Sequence, residues 1–208
     1  GAVHRNAGGY CSGGAVARRK AQKDRNAAML GRTLMRNEAG QVFSLAELAA
    51  KSTANPEIRG GELMTRIRGC EEFADKAGHV GYFLTGTCPS AFHAVQISGK
   101  GARATIRKNP KYDGVSTPRD AQAWLCNQWQ KARAEWAREG IRAYGFSVAE
   151  PHHDGCPHWH LLLWFESEQD AARGVESFAQ KWLSDGGAVR GYLVPDSRVM
   201  AFAPVGDA

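Results

Sequence analysis

No stretch of about 18 apolar residues occurs in the 208-residue chain, which excludes a hydrophobic membrane-spanning helix. The opening residues, Gly1-Ala-Val-His-Arg-Asn6, hold no apolar core of a secretory signal. The five cysteines, Cys11, Cys70, Cys88, Cys126 and Cys156, include no Cys-x-x-Cys pair. An odd, scattered set excludes a disulfide framework and points to free thiols in a reducing cytoplasm. Acid is scarce at the N-terminal end. Residues 1–36 carry Arg5, Arg18, Arg19, Lys20, Lys23, Arg25, Arg32 and Arg36 against Asp24 alone, a net +7, so the remainder of this +6 chain sums to −1. A second basic run, Lys100, Arg103, Arg107, Lys108 and Lys111, contains no acid. Such clusters neutralise phosphates, and a solvated helix face or loop is the plain alternative.

What is present is a concentration of ligand side chains in one short segment, Glu150-Pro-His-His-Asp-Gly-Cys-Pro-His-Trp-His160, followed by the apolar run Leu161-Leu-Leu-Trp-Phe165. The apolar run reads as a buried β-strand. Side chains alternate along a strand, so His158 and His160 share a face, about 7 Å apart at Cα, with Trp159 on the other. Gly145-Phe-Ser-Val-Ala-Glu150 reads as a second strand, and the Pro-bounded Asp-Gly segment between them as a turn. In the resulting hairpin Glu150 falls opposite His158 if the two pair, on the same face as both imidazoles. Two imidazoles and one carboxylate with open positions suit Mn²⁺, Mg²⁺, Fe²⁺ or Zn²⁺. A pair of ordinary half-buried histidines is the bland alternative. His152 and His153, in the turn, are expected to be solvated loop residues.

The rest of the pattern predicts an α+β chain. Residues 15–36 read as a basic helix, Ser44-Leu-Ala-Glu47 as a capping box opening a short helix, and Pro56 to about Ala77 as a helix weakened by Gly60-Gly61. No convincing strand is expected in this N-terminal third, which reads as a helical extension over residues 1–78. A domain over 79–208 follows. Val80 to Cys88 is a strand with Phe83, Thr85 and Thr87 on one face. Residues 98–116 are loop-like, with room for a hairpin around Arg103 to Arg107. Thr117-Pro-Arg-Asp120 caps a helix running to about Glu139, with Leu125, Trp129, Ala132 and Trp136 as its apolar stripe. The tryptophans of this helix are expected in the core rather than as base-stacking platforms. Ser167 caps a further helix that buries Val175, Phe178, Ala179 and Trp182 and ends at Gly186-Gly187. A last strand is expected over Ser197 to Ala203. Strand, helix, strand, strand, helix, strand is the order of a ferredoxin-like antiparallel sheet, a split βαβ arrangement, whose open face would carry the metal site.

The segment EPHHDGCPHWHLLLWF resembles the signature of the His-hydrophobic-His (HUH) endonucleases and, more closely, of the phage replication gene A proteins. The segment from Tyr82 to Ala94 is similar to that family's first strand motif, and likeness continues through Ser116 to Gln122 and Tyr144 to Phe146. Fainter likeness reaches Tyr10 to Ser12 and Ser52 to Arg59. Gly86, where the family usually has an apolar residue, and Ser147, where arginine is common, depart from the pattern. The resemblance implies the same sheet architecture (the HUH endonuclease fold) and a site-specific single-strand DNA endonuclease and ligase that initiates rolling-circle replication. It implies a tyrosine nucleophile forming a 5′-phosphotyrosine intermediate, with Glu150, His158 and His160 holding the divalent metal, Mn²⁺ or Mg²⁺ ahead of Zn²⁺. The implied partners are single-stranded or hairpin origin DNA and a host helicase, in the cytoplasm of a bacterial host. The DNA contacts would come from Arg18, Arg19, Lys20, Lys23 and Arg25, and from Lys100, Arg103, Arg107, Lys108 and Lys111. The family's paired tyrosines stand one helical turn apart. None of Tyr10, Tyr82, Tyr112, Tyr144 and Tyr192 lies four residues from another. The tyrosine pair is therefore expected after Ala208, the 208 residues alone are expected to be inactive, and Tyr192 is the lesser candidate inside the chain. Two other readings remain open here: a single-stranded DNA-binding module that does not cut, and a zinc-type metallohydrolase that activates water.

Overall fold

The computed structural model describes residues 11–98, 105–152 and 154–194. It divides into two compact units, Gly1–Cys70 and Glu71–Ala208, a division that falls inside a helix rather than at the expected 78/79 boundary. No helix among the described residues is long and apolar enough to cross a membrane.

In the first unit, α1 (Gly13–Arg32) starts at Ser12, whose hydroxyl accepts the Ala15 N–H at 3.3 Å. The helix stops four residues before the expected Arg36. Leu34–Arg36 (β1) instead pairs antiparallel with Val42–Ser44 (β2), so the N-terminal third does contain strands, contrary to the sequence expectation. The reason is local turn chemistry. The Asn37 side chain accepts from Gln41 N–H at 2.9 Å and donates to the Gln41 side chain at 2.7 Å, while Gly40 supplies a φ of 80°. The expected capping box is formed by Ser44 and Glu47 at the start of α2 (Leu45–Ala50). α3 spans Pro56–Ala77, uninterrupted at Gly60-Gly61.

The second unit is built on a four-stranded antiparallel sheet. Its strands are β3 (Val80–Thr87), β6 (Ala143–Pro151), β7 (Pro157–Phe165) and β8 (Ala188–Val194), in the spatial order β6-β7-β3-β8. β7 thus lies between β3 and β6, the two strands joined by α4 (Pro118–Glu139). α5 (Glu168–Ser184) joins β7 to β8. A short hairpin of β4 (Val95–Ser98) and β5 (Thr105–Lys108) leaves the main sheet after β3. The Thr117 and Ser167 caps start α4 and α5 as expected, and Gly140, at φ 71°, ends α4.

The alternation in β7 assigns its faces. Trp159, Leu161, Leu163 and Phe165 point to the helix side, where Leu125 and Trp136 of α4 and Phe178 and Trp182 of α5 close over them. Burying side chains of this size contributes about 1.5–3 kcal/mol each. The tryptophans of α4 belong to this core: Trp136 is buried, Trp124 meets Trp182 edge-on, and Trp129 packs on Trp136 and Phe178.

The expected succession of strand, helix, strand, strand and helix is observed, and a strand not expected from the sequence follows it. β8 runs over Ala188–Val194 and pairs with β3, placing Tyr192 opposite Phe83 in the sheet. Val189, Gly191 and Leu193 supply the strand alternation there, which the flanking Gly186-Gly187 and the internal Gly191 obscure in the sequence. Ser197 to Ala203 lies outside the described residues. The Gly86 departure has a packing cause. A Cβ at Gly86 would stand 2.6 Å from Nε1 of the fully buried Trp182, so the indole of α5 occupies the space that an apolar side chain would fill.

Candidate metal centre

Register decides this site. Glu150 pairs with His158 across β6 and β7, the pairing on which the sequence expectation depended. On its other side β7 meets β3, with Thr87 opposite His158 and Thr85 opposite His160. The hairpin is closed by the His152 N–H on the Cys156 carbonyl at 2.8 Å, and Gly155 turns at φ 86°.

Glu150, His158 and His160 each offer a ligand atom within 4.8 Å of the others, the one such group of three or more among the described residues. The Nε2 atoms of the two histidines are 3.0 Å apart, and Glu150 Oε2 lies 3.8 Å from His160 Nε2. The Glu150 side chain is 53 % exposed and that of His160 25 %, so the cluster opens to solvent on the carboxylate side. Burial pushes His158 below the usual imidazole range, helped by the neighbouring His160 and opposed by Glu150. The neutral ring is the form that ligates metal.

Each histidine is backed differently. Nδ1 of His160 is 2.9 Å from Thr85 Oγ1, and its ring stacks on Phe83 with centroids 5.3 Å apart at 20°. In the tautomer that leaves the Nε2 lone pair free, Nδ1–H donates to Thr85. Nδ1 of His158 is buried and has no hydrogen-bond partner among the described residues. The ring of His152 packs on it, 4.1 Å away between centroids, and the Glu150 backbone contacts it as well. His152 is therefore a half-buried wall of the site, not the solvated loop residue expected from the sequence, because the turn folds back over β7. His153 lies outside the described residues.

Next to the hairpin loop stands a second polar group to which the sequence reading gave no role. His93 Nδ1 meets Asp154 Oδ2 at 3.0 Å, and Asp154 Oδ1 accepts the Cys156 N–H at 3.0 Å. Cys88 and Cys156 are buried beside it. The hydrogen bond to Asp154, aided by Cys156, raises His93 to about 10, and contact with Cys88 and His93 lowers the Cys156 thiol below the usual range. The residues quoted for the family's first motif include His93, but pairing with a residue 61 positions on becomes visible only in the fold.

The family model for the bacteriophage replication gene A protein (GPA) matches residues 1–192. The chain belongs to this family. The replication gene A protein of Escherichia phage 186 is 42% identical over 159 residues, covering 76% of this chain and 22% of the relative. That of Escherichia phage P2 is 37% identical over 171 residues, covering 81% of this chain and 22% of the relative. A protein named as a probable replication endonuclease from a prophage-like region of Salmonella paratyphi A is 33% identical over 180 residues, covering 86% of this chain and 21% of the relative. The chain thus spans about a fifth of the length of these curated relatives. No solved structure matches it.

In this gene A family chain the matched range contains the whole cluster and its backing residues. Three of the tyrosines are accounted for. Tyr82 is buried on the core face, Tyr112 donates to the Ser116 carbonyl at 2.8 Å, and the Tyr144 hydroxyl meets His79 Nδ1 at 3.1 Å. Tyr144 shares the face of Glu150 but lies six residues along the strand, about 20 Å away. Tyr10 is outside the described residues, and Tyr192 has its backbone in β8.

The basic residues divide. Arg18, Arg19, Lys20, Lys23 and Arg25 are exposed on α1, where their spacing distributes them around the helix rather than along one face. Arg107, Lys108 and Lys111 are exposed, while Lys100 and Arg103 lie outside the described residues. The base of the β4–β5 arm is tied to the loop after β3 by buried Asn109. Its Nδ2 donates to the Ser90 and His93 carbonyls, both at 2.7 Å, and its Oδ1 accepts from Gln96 at 2.7 Å and the Lys111 N–H at 3.0 Å. The arm therefore springs from the segment that carries His93, beside the β6–β7 hairpin.

Proposed function

We propose that this chain is the DNA-cleaving part of a replication initiator, a metal-dependent single-strand endonuclease that joins DNA to a tyrosine during rolling-circle replication. The pairing of Glu150 with His158, with His160 two residues on, is the observation that carries the reading. It gives two imidazole nitrogens and a carboxylate on one open sheet face, a donor set that fits Mn²⁺ or Mg²⁺. The names of the relatives, replication gene A protein and replication endonuclease, support the same activity. The strand order supports the ferredoxin-like arrangement expected of HUH endonucleases.

When bound, a divalent ion supplies Lewis-acid polarisation of a phosphate oxygen and fixes its position. The residues do the rest. Glu150, His158 and His160 hold the phosphate's place on the sheet, and Thr85 and Phe83 hold His160. Arg107, Lys108 and Lys111 neutralise neighbouring phosphates from the β4–β5 arm, with the α1 basic residues as further contacts. The tyrosine oxygen attacks phosphorus, the bond to the 3′-oxygen breaks, and the strand leaves with a 3′-hydroxyl while its 5′-phosphate stays on tyrosine. Covalent storage permits rejoining, which hydrolysis would not.

The test is titration of the chain with a labelled single-stranded oligonucleotide with and without Mn²⁺. Mn²⁺ is expected to tighten binding, and His160→Ala to remove at least ten-fold of Mn²⁺ affinity, about 1.4 kcal/mol. Equal Mn²⁺ affinity in wild type and His160→Ala sinks the metal centre. A denaturing gel of full-length protein separates the chemistries: a covalent band marks strand transfer, a free 5′-phosphate product marks water attack, and the 208 residues alone are expected to give neither. A band abolished by Tyr192→Phe assigns the nucleophile to β8.

A further inference from the structure

We infer that His93 and Asp154 are positioning residues for the metal centre, holding His158 in its ligating orientation through the ring of His152. This rests on the metal reading of Glu150, His158 and His160 and extends it to residues that touch no ligand atom.

The two ligand histidines are not equally secured. His160 has a hydroxyl at Nδ1 and an aromatic ring against its face. Nδ1 of His158 has no hydrogen-bond partner among the described residues, and apart from its contact with the Glu150 backbone the ring is held by packing. The ring packed on it is His152, inclined at 33°. His152 belongs to the turn, which left to itself would be the most mobile part of a hairpin. Besides the backbone bonds between His152 and Cys156 and between Gly155 and His152, three contacts hold that turn. Asp154 accepts the Cys156 N–H, Asp154 pairs with His93 from a separate segment of chain, and the His93 ring meets His152 edge-on with centroids 5.1 Å apart at 72°. The pair is well placed to hold: the Asp154 side chain is 5 % exposed and that of His93 18 %. His93 is in turn fixed by its carbonyl, which accepts from Asn109. Removing the pair takes the His93 ring away from His152 and the Asp154 tie away from the turn, which loosens the packing that holds the His158 ring toward His160 and Glu150.

Partners that orient a metal-bound histidine carry about 10–100-fold of metal affinity, and an indirect one belongs at the lower end. Asp154→Asn and His93→Gln are each expected to weaken Mn²⁺ binding about ten-fold by calorimetry, to broaden the electron paramagnetic resonance spectrum of bound Mn²⁺, and to leave metal-free secondary structure unchanged. Because the two act as one unit, the double variant should lose no more than either single variant. Should Asp154→Asn fail to fold, His93→Phe, which keeps a ring against His152 and removes the ion pair, is titrated in its place with the same expectation. Affinity within two-fold of wild type in a folded variant, or additive losses in the double variant, overturns the inference. Wild-type protein that binds no Mn²⁺ refutes the metal centre itself, so the two failures are distinct.

Discussion

Replacing Thr85 by valine tests whether the face opposite His160 is built for a ligand. The hydroxyl is 2.9 Å from His160 Nδ1, and it is the hydrogen-bond partner that selects the tautomer with a free Nε2 lone pair. Valine keeps the β-branched shape in the strand and removes only that partner. Loss of such a backing hydrogen bond costs metal affinity about 10–100-fold, or about 1.4–2.7 kcal/mol. The fold itself should lose less, about 0.5–1.5 kcal/mol for one hydrogen bond, because the partly exposed His160 can recruit water. Calorimetric titration with Mn²⁺ measures the first quantity and urea unfolding the second. Thr85→Ser restores the hydroxyl and should recover most of the affinity. The reasoning fails if Thr85→Val binds Mn²⁺ within two-fold of wild type, or if Thr85→Ser is as weak as Thr85→Val. The second result would show that the hydroxyl alone does not restore the site.

Gly86→Ala should destabilise the second unit by about 1–3 kcal/mol in urea unfolding, since its Cβ would stand 2.6 Å from Trp182 Nε1, and Trp182→Phe should partly relieve it. In metal-free protein, the His93–Asp154 pair gives a two-sided pH dependence. His93, raised from 6.5 to about 10, contributes stability below pH 6.5 that is lost as pH rises toward 10. Asp154, lowered from 3.8 by His93 and the Cys156 N–H against the opposing effect of burial, contributes above pH 3.8 and loses it as pH falls. The melting temperature of wild type minus that of Asp154→Asn should therefore be largest between about pH 4 and 6.5 and narrow on both sides; a difference flat from pH 4 to 10 contradicts the pairing. Replacing Arg107, Lys108 and Lys111 together by alanine should reduce the log–log salt slope of single-strand binding by about 2, and an unchanged slope removes the arm from the interface.

The parts of this chain that were legible in the sequence are those governed by local rules. The capping residues Ser44, Thr117 and Ser167 start helices as their patterns require, and the alternation of β7 assigns Trp159 and Leu161 to the core. The failures occur where short-range signals compete. The Asn37-to-Gln41 turn ended a helix that composition alone would continue, and Gly191 masked a strand whose partners on β3 are about a hundred residues away. His152 was misread for the same reason: a turn residue is expected in water unless the turn folds onto something. Thr85 and His93 were present in the motif, but their roles depend on which strand and which loop lie beside them. That information is long-range and does not reside in any window of the sequence.

The cluster is fixed in place by the core rather than by its own contacts. Leu161, Leu163 and Phe165 are buried on the helix side of β7, and slipping that strand by one residue would turn all three toward solvent. The cost of exposing them, about 1.5–3 kcal/mol each, far exceeds any cost of moving two half-buried histidines. The same register that buries Leu161 places His160 on the opposite face beside Thr85, and places His158 across from Glu150. Register alone therefore brings both histidines and Glu150 to one face of the sheet. What the core leaves undetermined is the rotation of each ring about its own side-chain bonds. Thr85 and Phe83 settle that for His160, and the turn carrying His152 settles it for His158. Substitutions in the core should therefore abolish folding and metal binding together, whereas substitutions at these backing residues should separate them.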